Sequence, residues 1–328
     1  MVLFIVRIEN VMLKNNYCVT TGLSLALLTA ILWSMVPIAL VAILSSLDGV
    51  SITWFRFTGA SLLCFLWQAF RGQLKEFTQL AVKDWCILTL AGLFLIANYV
   101  GFAFSLNYIS PIAVTVFSQL TPFFLCIGGI IVFKEKLSFI QALCFVVLFF
   151  GLFFFFNDSL TAMFTDQKML IMGAVLTALS SLIWVFYALL QKSLLKRLSA
   201  TNILLYIYSL AMIILAPFSD ITAFVNLDVY DWLILIFCVL NTVVAYEALA
   251  QSMKYIDTTQ VSIIISTVPL FTIALSYGAF ISWPAYFTFD EITSLGWLGI
   301  TMVVASVVVF NRTGYKGKLV KEMSKSTI

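Results

Sequence analysis

Apolar runs of roughly twenty residues recur along almost the whole chain, joined by connections too short to hold a domain of their own. At about 1.5 Å per residue such a run crosses a hydrocarbon core of about 30 Å. No water satisfies the backbone there, so only helices and closed barrels can span it. Barrel strands are segments of about ten residues with alternating polarity. These runs are apolar on all sides and therefore read as helices. Composition agrees: 62% of the 328 residues are hydrophobic and 10% are charged, with a mean hydropathy of +1.09, whereas a soluble domain carries about 25% charged residues. The expected fold class is an all-α integral membrane protein, with the lipid bilayer as its solvent. The net charge of +3 is scattered through short connections, and nothing in it points to nucleic acid.

The runs predict ten membrane helices at about 22–44, 50–70, 85–106, 112–133, 138–156, 169–190, 201–218, 232–253, 258–281 and 292–311. With this division, one side of the membrane receives Arg7, Lys14, Arg71, Lys75, Lys83, Lys134, Lys136, Lys192, Lys196, Arg197, Lys254, Arg312, Lys316, Lys318, Lys321 and Lys325. The other side receives only Lys168, and Arg56 lies within the second segment. The positive-inside rule then puts both termini in the cytoplasm. An odd number of segments would scramble that segregation, so the charges also support ten. The N-terminus has only six apolar residues before Arg7, too few for a signal peptide, and is expected to remain as a short tail. The six cysteines (Cys18, Cys64, Cys86, Cys126, Cys144, Cys238) are isolated, with neither a CxxC pair nor a disulfide framework.

Shifted by 147 residues, the sequence aligns 84–124 with 231–271 without a gap. Thirteen of 41 positions are identical, among them Trp85/Trp232, Tyr99/Tyr246, Tyr108/Tyr255 and Pro122/Pro269. The chain therefore reads as two copies of a five-helix unit. Five is odd, so the second copy must cross in the opposite sense. The charges support this: Arg71, Lys75 and Lys83 precede the third segment, whereas Asp220, Asp228 and Asp231 precede the eighth. Inverted repeats of this kind bind a solute at their interface near the midplane and alternate access by rocking.

Candidate lining residues follow from polarity in apolar surroundings. Thr115, Gln119 and Pro122 share a face of the fourth segment, as do Ser262, Ser266 and Pro269 in the ninth. They read either as a polar wall with proline bends or as small hydroxyl residues that pack helices and bond back to their own backbone. Gln119 fits packing least, because an amide in lipid needs partners. Glu247 and Arg56 are the ionisable residues inside segments, and so are functional candidates. Glu247 is a binder of an amine, a proton carrier, or a partner of Lys254; Arg56 is an anion ligand, or it snorkels to the headgroups. Asn98 and Tyr99, with Asn241 and Tyr246, offer amides and phenols at comparable depths. Trp33 and Trp184 hold corresponding places in the first and sixth segments, as belt anchors or as walls of a cavity. The fifth and tenth segments have no interior charge and are expected outside the path.

The stretches "AILWSMVPIAL", "ITWFRFTGASLL", "ALSSLIWVFYALL" and above all "SLNYISPIAVTVFSQLTPFFLCIGGIIVFKEKLSFIQAL" resemble the EamA-type branch of the drug/metabolite transporter superfamily. The second copy is looser: it has Val268 where the first has Thr121, and it inserts "SWPAYFTF" before Asp290 and Glu291. The resemblance covers roughly residues 22 to 311 and implies two inverted repeats with a cavity between segments 1–4 and 6–9. It also implies structural turn roles for Glu135 and Glu291, and transport of small organic solutes such as amino acids or other metabolites. The expected division is a cytoplasmic N-tail 1–21, repeats 22–156 and 169–311 joined by an outer linker 157–168, and a basic C-tail 312–328.

With no P-loop, no histidine, no HExxH and no clustered carboxylates within the segments, neither primary transport nor an embedded enzyme is favoured. The expected activity is secondary transport across the cytoplasmic membrane without a cofactor or metal. Protons or a counter-solute are the candidate coupling partners. Export of drugs or other metabolites on the same fold, an embedded enzyme and a scaffold are the alternatives.

Overall fold

The computed structural model describes residues 2–121, 123–124, 127, 138–162, 167–195, 197–256, 261, 264–284, 287, 289 and 291–326. Among these residues there are ten α-helices and no strand: α1 Val2–Ile43, α2 Gly49–Phe70, α3 Val82–Ser105, α4 Pro111–Phe117, α5 Phe139–Ala162, α6 Gln167–Leu194, α7 Ala200–Leu215, α8 Val229–Tyr255, α9 Val268–Ser282 and α10 Ser294–Ser326. Helix starts follow local chemistry. Asp48 accepts from the N–H groups of Val50 and Ser51 at the head of α2, and Asp228 from that of Asp231 at the head of α8. Ser110 and Ser199 cap α4 and α7 in the same way, Pro111 taking the first position of α4.

Among the described residues, six helices contain spans long and apolar enough to cross a membrane, namely Val19–Ile43, Gly49–Phe70, Val82–Ser105, Lys168–Gln191, Ala200–Phe218 and Val229–Met253. Shorter apolar stretches occupy Pro111–Leu120, Phe139–Phe155, Val268–Ser282 and Ser294–Phe310. The helix surfaces are themselves apolar, with Leu62, Leu66, Phe149 and Ile213 exposed, as a lipid-facing surface requires.

The stretches read as tails are helical, continuing α1 back to Val2 and α10 on to Ser326. No proline or glycine interrupts residues 2–21, and an existing helix extends at one hydrogen bond per residue without a new nucleus. One expectation is corrected. The run expected as one helix over 258–281 is interrupted by a turn at Ser266 and Thr267, after which α9 begins with Pro269 in its first turn. A first-turn residue has no intrahelical partner for its N–H, so proline fits there without loss. In the first half, α4 gives way to a 3₁₀ turn over Ser118–Leu120. At the 147-residue offset, Gln119 and Leu120 correspond to Ser266 and Thr267. Both copies thus interrupt the same helix at the same point. Pro122 and Ser262 lie outside the described residues.

The packing obeys a pseudo-two-fold that exchanges each helix with the one five places along. Helix α3 packs on α6 as α8 packs on α1, and α2 on α8 as α7 on α3. The self-related pairs α2–α7, α4–α9 and α5–α10 face each other. Two on-axis contacts fix the relation: the Ser61 and Ser209 hydroxyls are hydrogen-bonded at 2.7 Å, 148 positions apart, and Gly151 meets Gly299 at the same spacing where α5 crosses α10. Off the axis, Gly22 receives Tyr255 and Ile256 as Gly173 receives Tyr108 and Ile109, leaving 2.7 Å between a would-be Cβ and the isoleucine in each case.

Small residues set these crossings because helices in lipid associate by close backbone approach rather than by the hydrophobic effect. A Cβ at Gly299 would stand 2.5 Å from both the Gly151 carbonyl oxygen and the Phe155 backbone nitrogen, whereas one at Gly278 meets nothing within 4 Å. Gly299→Ala is therefore expected to destabilise the protein by about 1–3 kcal/mol. Gly278→Ala should be neutral or slightly stabilising. Thermal unfolding of the two purified variants in one detergent checks the difference.

Candidate functional site

The two halves meet in a packed aromatic cluster, the candidate chamber, built from α1, α2, α3, α6, α7 and α8. Trp33 lies edge-on to Tyr246 at 5.7 Å between ring centroids. Phe57 packs 4.6 Å from Tyr99 and 5.2 Å from Tyr208, and Tyr187 lies 6.2 Å from Trp184. One charge enters the chamber. Arg56 is 4% exposed, its Cζ 5.0 Å from the Tyr99 ring centroid. Its Nε and one terminal nitrogen donate to Thr242 Oγ1 at 3.3 and 3.1 Å. Thr242 in turn donates to the Cys238 carbonyl at 2.7 Å. The guanidinium thus points inward to α8 rather than along α2 to the headgroups. The hydroxyls of Tyr187 and Tyr208 and the Oδ1 of Asn241 are buried without a hydrogen-bond partner among the described residues.

The two asparagines hold helix crossings beside the chamber. Asn98 Nδ2 donates to the Ser180 carbonyl at 2.9 Å and Asn241 Nδ2 to the Leu32 carbonyl at 2.7 Å. The pseudo-two-fold repeats the first crossing, with Thr29 Oγ1 donating to the Ala245 carbonyl at 3.3 Å. Glu247 is half-buried one level nearer the end of α8, where it accepts from Thr201 Oγ1 at 3.3 Å and from Gln251 Nε2 at 2.6 Å. The Lys254 side chain lies outside the described residues.

The α4/α9 residues form a different layer. Helix α4 packs on α9, α1 and α6 rather than on the helices that carry Arg56 and Tyr99. Thr115 is buried and donates to its own helix at the Ile112 carbonyl, 2.9 Å away. Gln119 is buried in the 3₁₀ turn, and Ser266 and Pro269 are buried at the equivalent break. Beyond this layer, a cavity of about 250 Å³ opens between α1, the α3–α4 turn and α9, lined by Ile38, Tyr108, Ser276, Phe287 and Phe289 among others. Phe289 packs on Tyr277 at 5.3 Å and Phe280 at 6.4 Å. The described part of the second-copy insertion thus folds over this cavity.

Sequence reasoning missed Tyr187, Tyr208 and Thr242. Tyr187 was within reach, since it follows Trp184 by three positions on one helix face; the other two carry no local signal. It also missed a polar tie between the α2–α3 and α6–α7 connections. The fully buried Asn202 accepts from Gln68 at 2.9 Å and donates to Glu76 at 2.7 Å and to the Gln73 carbonyl at 3.0 Å. The Ser199 N–H donates to Glu76 at 2.8 Å, and Arg197 pairs with Asp84. Partial burial pushes the Glu76 carboxyl up, but the hydrogen bonds from Ser199 and Asn202 outweigh it and hold the group below the ordinary carboxylate range.

The model of the EamA-like transporter family matches the chain twice, over residues 20–157 and 171–312. An uncharacterized transporter of Haemophilus influenzae is 33% identical over 288 residues, which cover 88% of this chain and 94% of the relative. The uncharacterized inner membrane transporter YhbE of Escherichia coli K12 is 36% identical over 290 residues, 88% of this chain and 90% of its own. A solved protein structure at 14% identity superposes with a TM-score of 0.60 over 90% of this chain and 96% of that one, a likeness of fold alone.

Because Glu76 is held down in the folded state, its contribution to stability is complete above the ordinary carboxylate range. That contribution is lost as pH falls through the native value. Between about pH 6 and pH 3.5 the apparent Tm of the unmodified protein should therefore fall further than that of Glu76→Gln. Parallel melting curves of the two proteins across this range check the sign.

Proposed function

The chain belongs to the EamA-like transporter family, and on that footing we propose that it is a secondary transporter. Its solute is a small organic molecule, an amino acid or related metabolite, carried across the cytoplasmic membrane by alternating access. Ten crossings form units 22–156 and 169–311, and both termini are cytoplasmic. The observation that carries this reading is the paired interruption of α4 and α9 at equivalent points of a pseudo-two-fold bundle. Broken helices at matching points of inverted repeats supply free backbone groups at mid-depth and let one half rock against the other.

The chamber of Trp33, Arg56, Tyr99, Trp184, Tyr246 and Asn241 holds the solute, and Thr115, Gln119 and Ser266 line the way past it. Glu247 binds the solute's amine or a coupling proton. It lies between the chamber and the polar tie, hydrogen-bonded to the neutral side chains of Thr201 and Gln251.

Counterflow in proteoliposomes tests the carrier reading. Vesicles loaded with a millimolar mixture of amino acids should transiently accumulate external labelled solute above equilibrium, whereas a channel or scaffold gives no overshoot. In the same vesicles Glu247→Gln should lower the flux or flatten its pH profile, and unchanged values of both would remove Glu247 from the mechanism.

A further inference from the structure

Arg56 raises a question that the fold alone does not answer. Its five N–H groups have one hydroxyl, Thr242 Oγ1, as their hydrogen-bond acceptor, and no carboxylate pairs with it among the described residues. A guanidinium 4% exposed and without a counter-ion is a costly thing to bury. The face of Tyr99, 5.0 Å away, offsets part of that cost.

The pseudo-two-fold provides an internal control. At the 148-residue spacing of Ser61 and Ser209, Arg56 corresponds to Leu204; at the 147-residue offset, Thr242 corresponds to Leu95. Both leucines are buried in one apolar core. The same helix junction is therefore built in the other half with two leucines and no charge. Packing does not require the arginine.

Resting on the transport reading above, we infer that Arg56 is the carboxylate subsite of the chamber and that the solute is a monocarboxylate with an apolar or aromatic body. The phenols of Tyr187 and Tyr208, buried and without partners, are further donors for its oxygens. The rings of Trp33, Phe57 and Tyr246, packed together in this structure, are the apolar surface that its body meets when the cluster opens. A single cation suits one negative charge, whereas a dianionic phosphate ester would call for several. Glu247 follows Thr242 by five residues, about 7.5 Å along α8. The carboxylate is the group that Arg56 selects.

Thermal stabilisation of the purified protein tests this with 3-phenylpropionate, isovalerate, L-phenylalanine and L-leucine against phenethylamine and L-phenylalaninol, which lack the carboxylate, all at millimolar concentration. At least one carboxylate should raise the apparent Tm by several degrees, and the amine and the alcohol should not. Arg56→Gln should weaken that carboxylate's binding at least about thirtyfold. Arg56→Lys, which keeps the charge without the planar fork, should retain part of it.

Equal stabilisation by phenethylamine or phenylalaninol overturns the assignment, as does a panel in which no carboxylate stabilises the unmodified protein. Should Arg56→Gln fail to fold, the panel on the unmodified protein still decides. Counterflow of solutes irrespective of a carboxylate would leave the carrier standing and remove this subsite. Carboxylate binding without any counterflow would do the reverse.

Discussion

Close approach of helix backbones across a pseudo-two-fold axis is the constraint on which the rest of this structure depends. In lipid, one apolar helix face gains nothing by leaving the tails for another apolar face, so association rests on packing and a few interhelical hydrogen bonds. Here those contacts fall on or around the axis. Gly151 and Gly299 let α5 and α10 cross with backbone against backbone, and Ser61 and Ser209 join α2 to α7. Gly22 and Gly173 each seat a tyrosine–isoleucine pair from the opposite half. Once these are set, the aromatic chamber follows, because Trp33, Tyr99, Trp184 and Tyr246 are symmetry-related residues brought to the interface of the two units.

Departures from symmetry then mark where the two halves do different work. One end of the bundle is tied by carboxylates, amides and an ion pair: Glu76, Asn202, Gln68 and Arg197 with Asp84. The other is tied by rings, Phe224 packing on Trp54, Phe55 and Trp232, with hydrogen bonds from the Asp220 N–H to Ser51 and from Trp54 Nε1 to the Met212 carbonyl. In the centre, Arg56 and Thr242 stand where the other half has Leu204 and Leu95.

Much of this was legible in the sequence because lipid simplifies the reading. Runs of apolar residues predict helices without the usual ambiguity between helix and strand, and the 147-residue offset paired Tyr99 with Tyr246 before any contact was known. What stayed hidden depends on tertiary neighbours. Proline in an apolar run marks a kink or a restart equally well, so the turn at Ser266 and Thr267 and the first-turn position of Pro269 were read as a bend. The direction of Arg56 was open because its acceptor, Thr242, is 186 residues away. Thr201 and Gln251 hydrogen-bond Glu247, and Thr201 lies on another helix, 46 residues away. Tyr208 carries no local signal because its stacking partner, Phe57, comes from α2.

Alternating access of the chamber is tested most directly by double electron–electron resonance on two spin-label pairs in a cysteine-free background. One pair, Ser46 with Val225, spans the end tied by rings; the other, Lys75 with Leu195, spans the end tied by the polar network, and all four positions are exposed. If the two halves rock about the pseudo-two-fold, conditions that lengthen one distance shorten the other. Two distances that stay fixed, or that lengthen together, in lipid with and without a stabilising solute would contradict it.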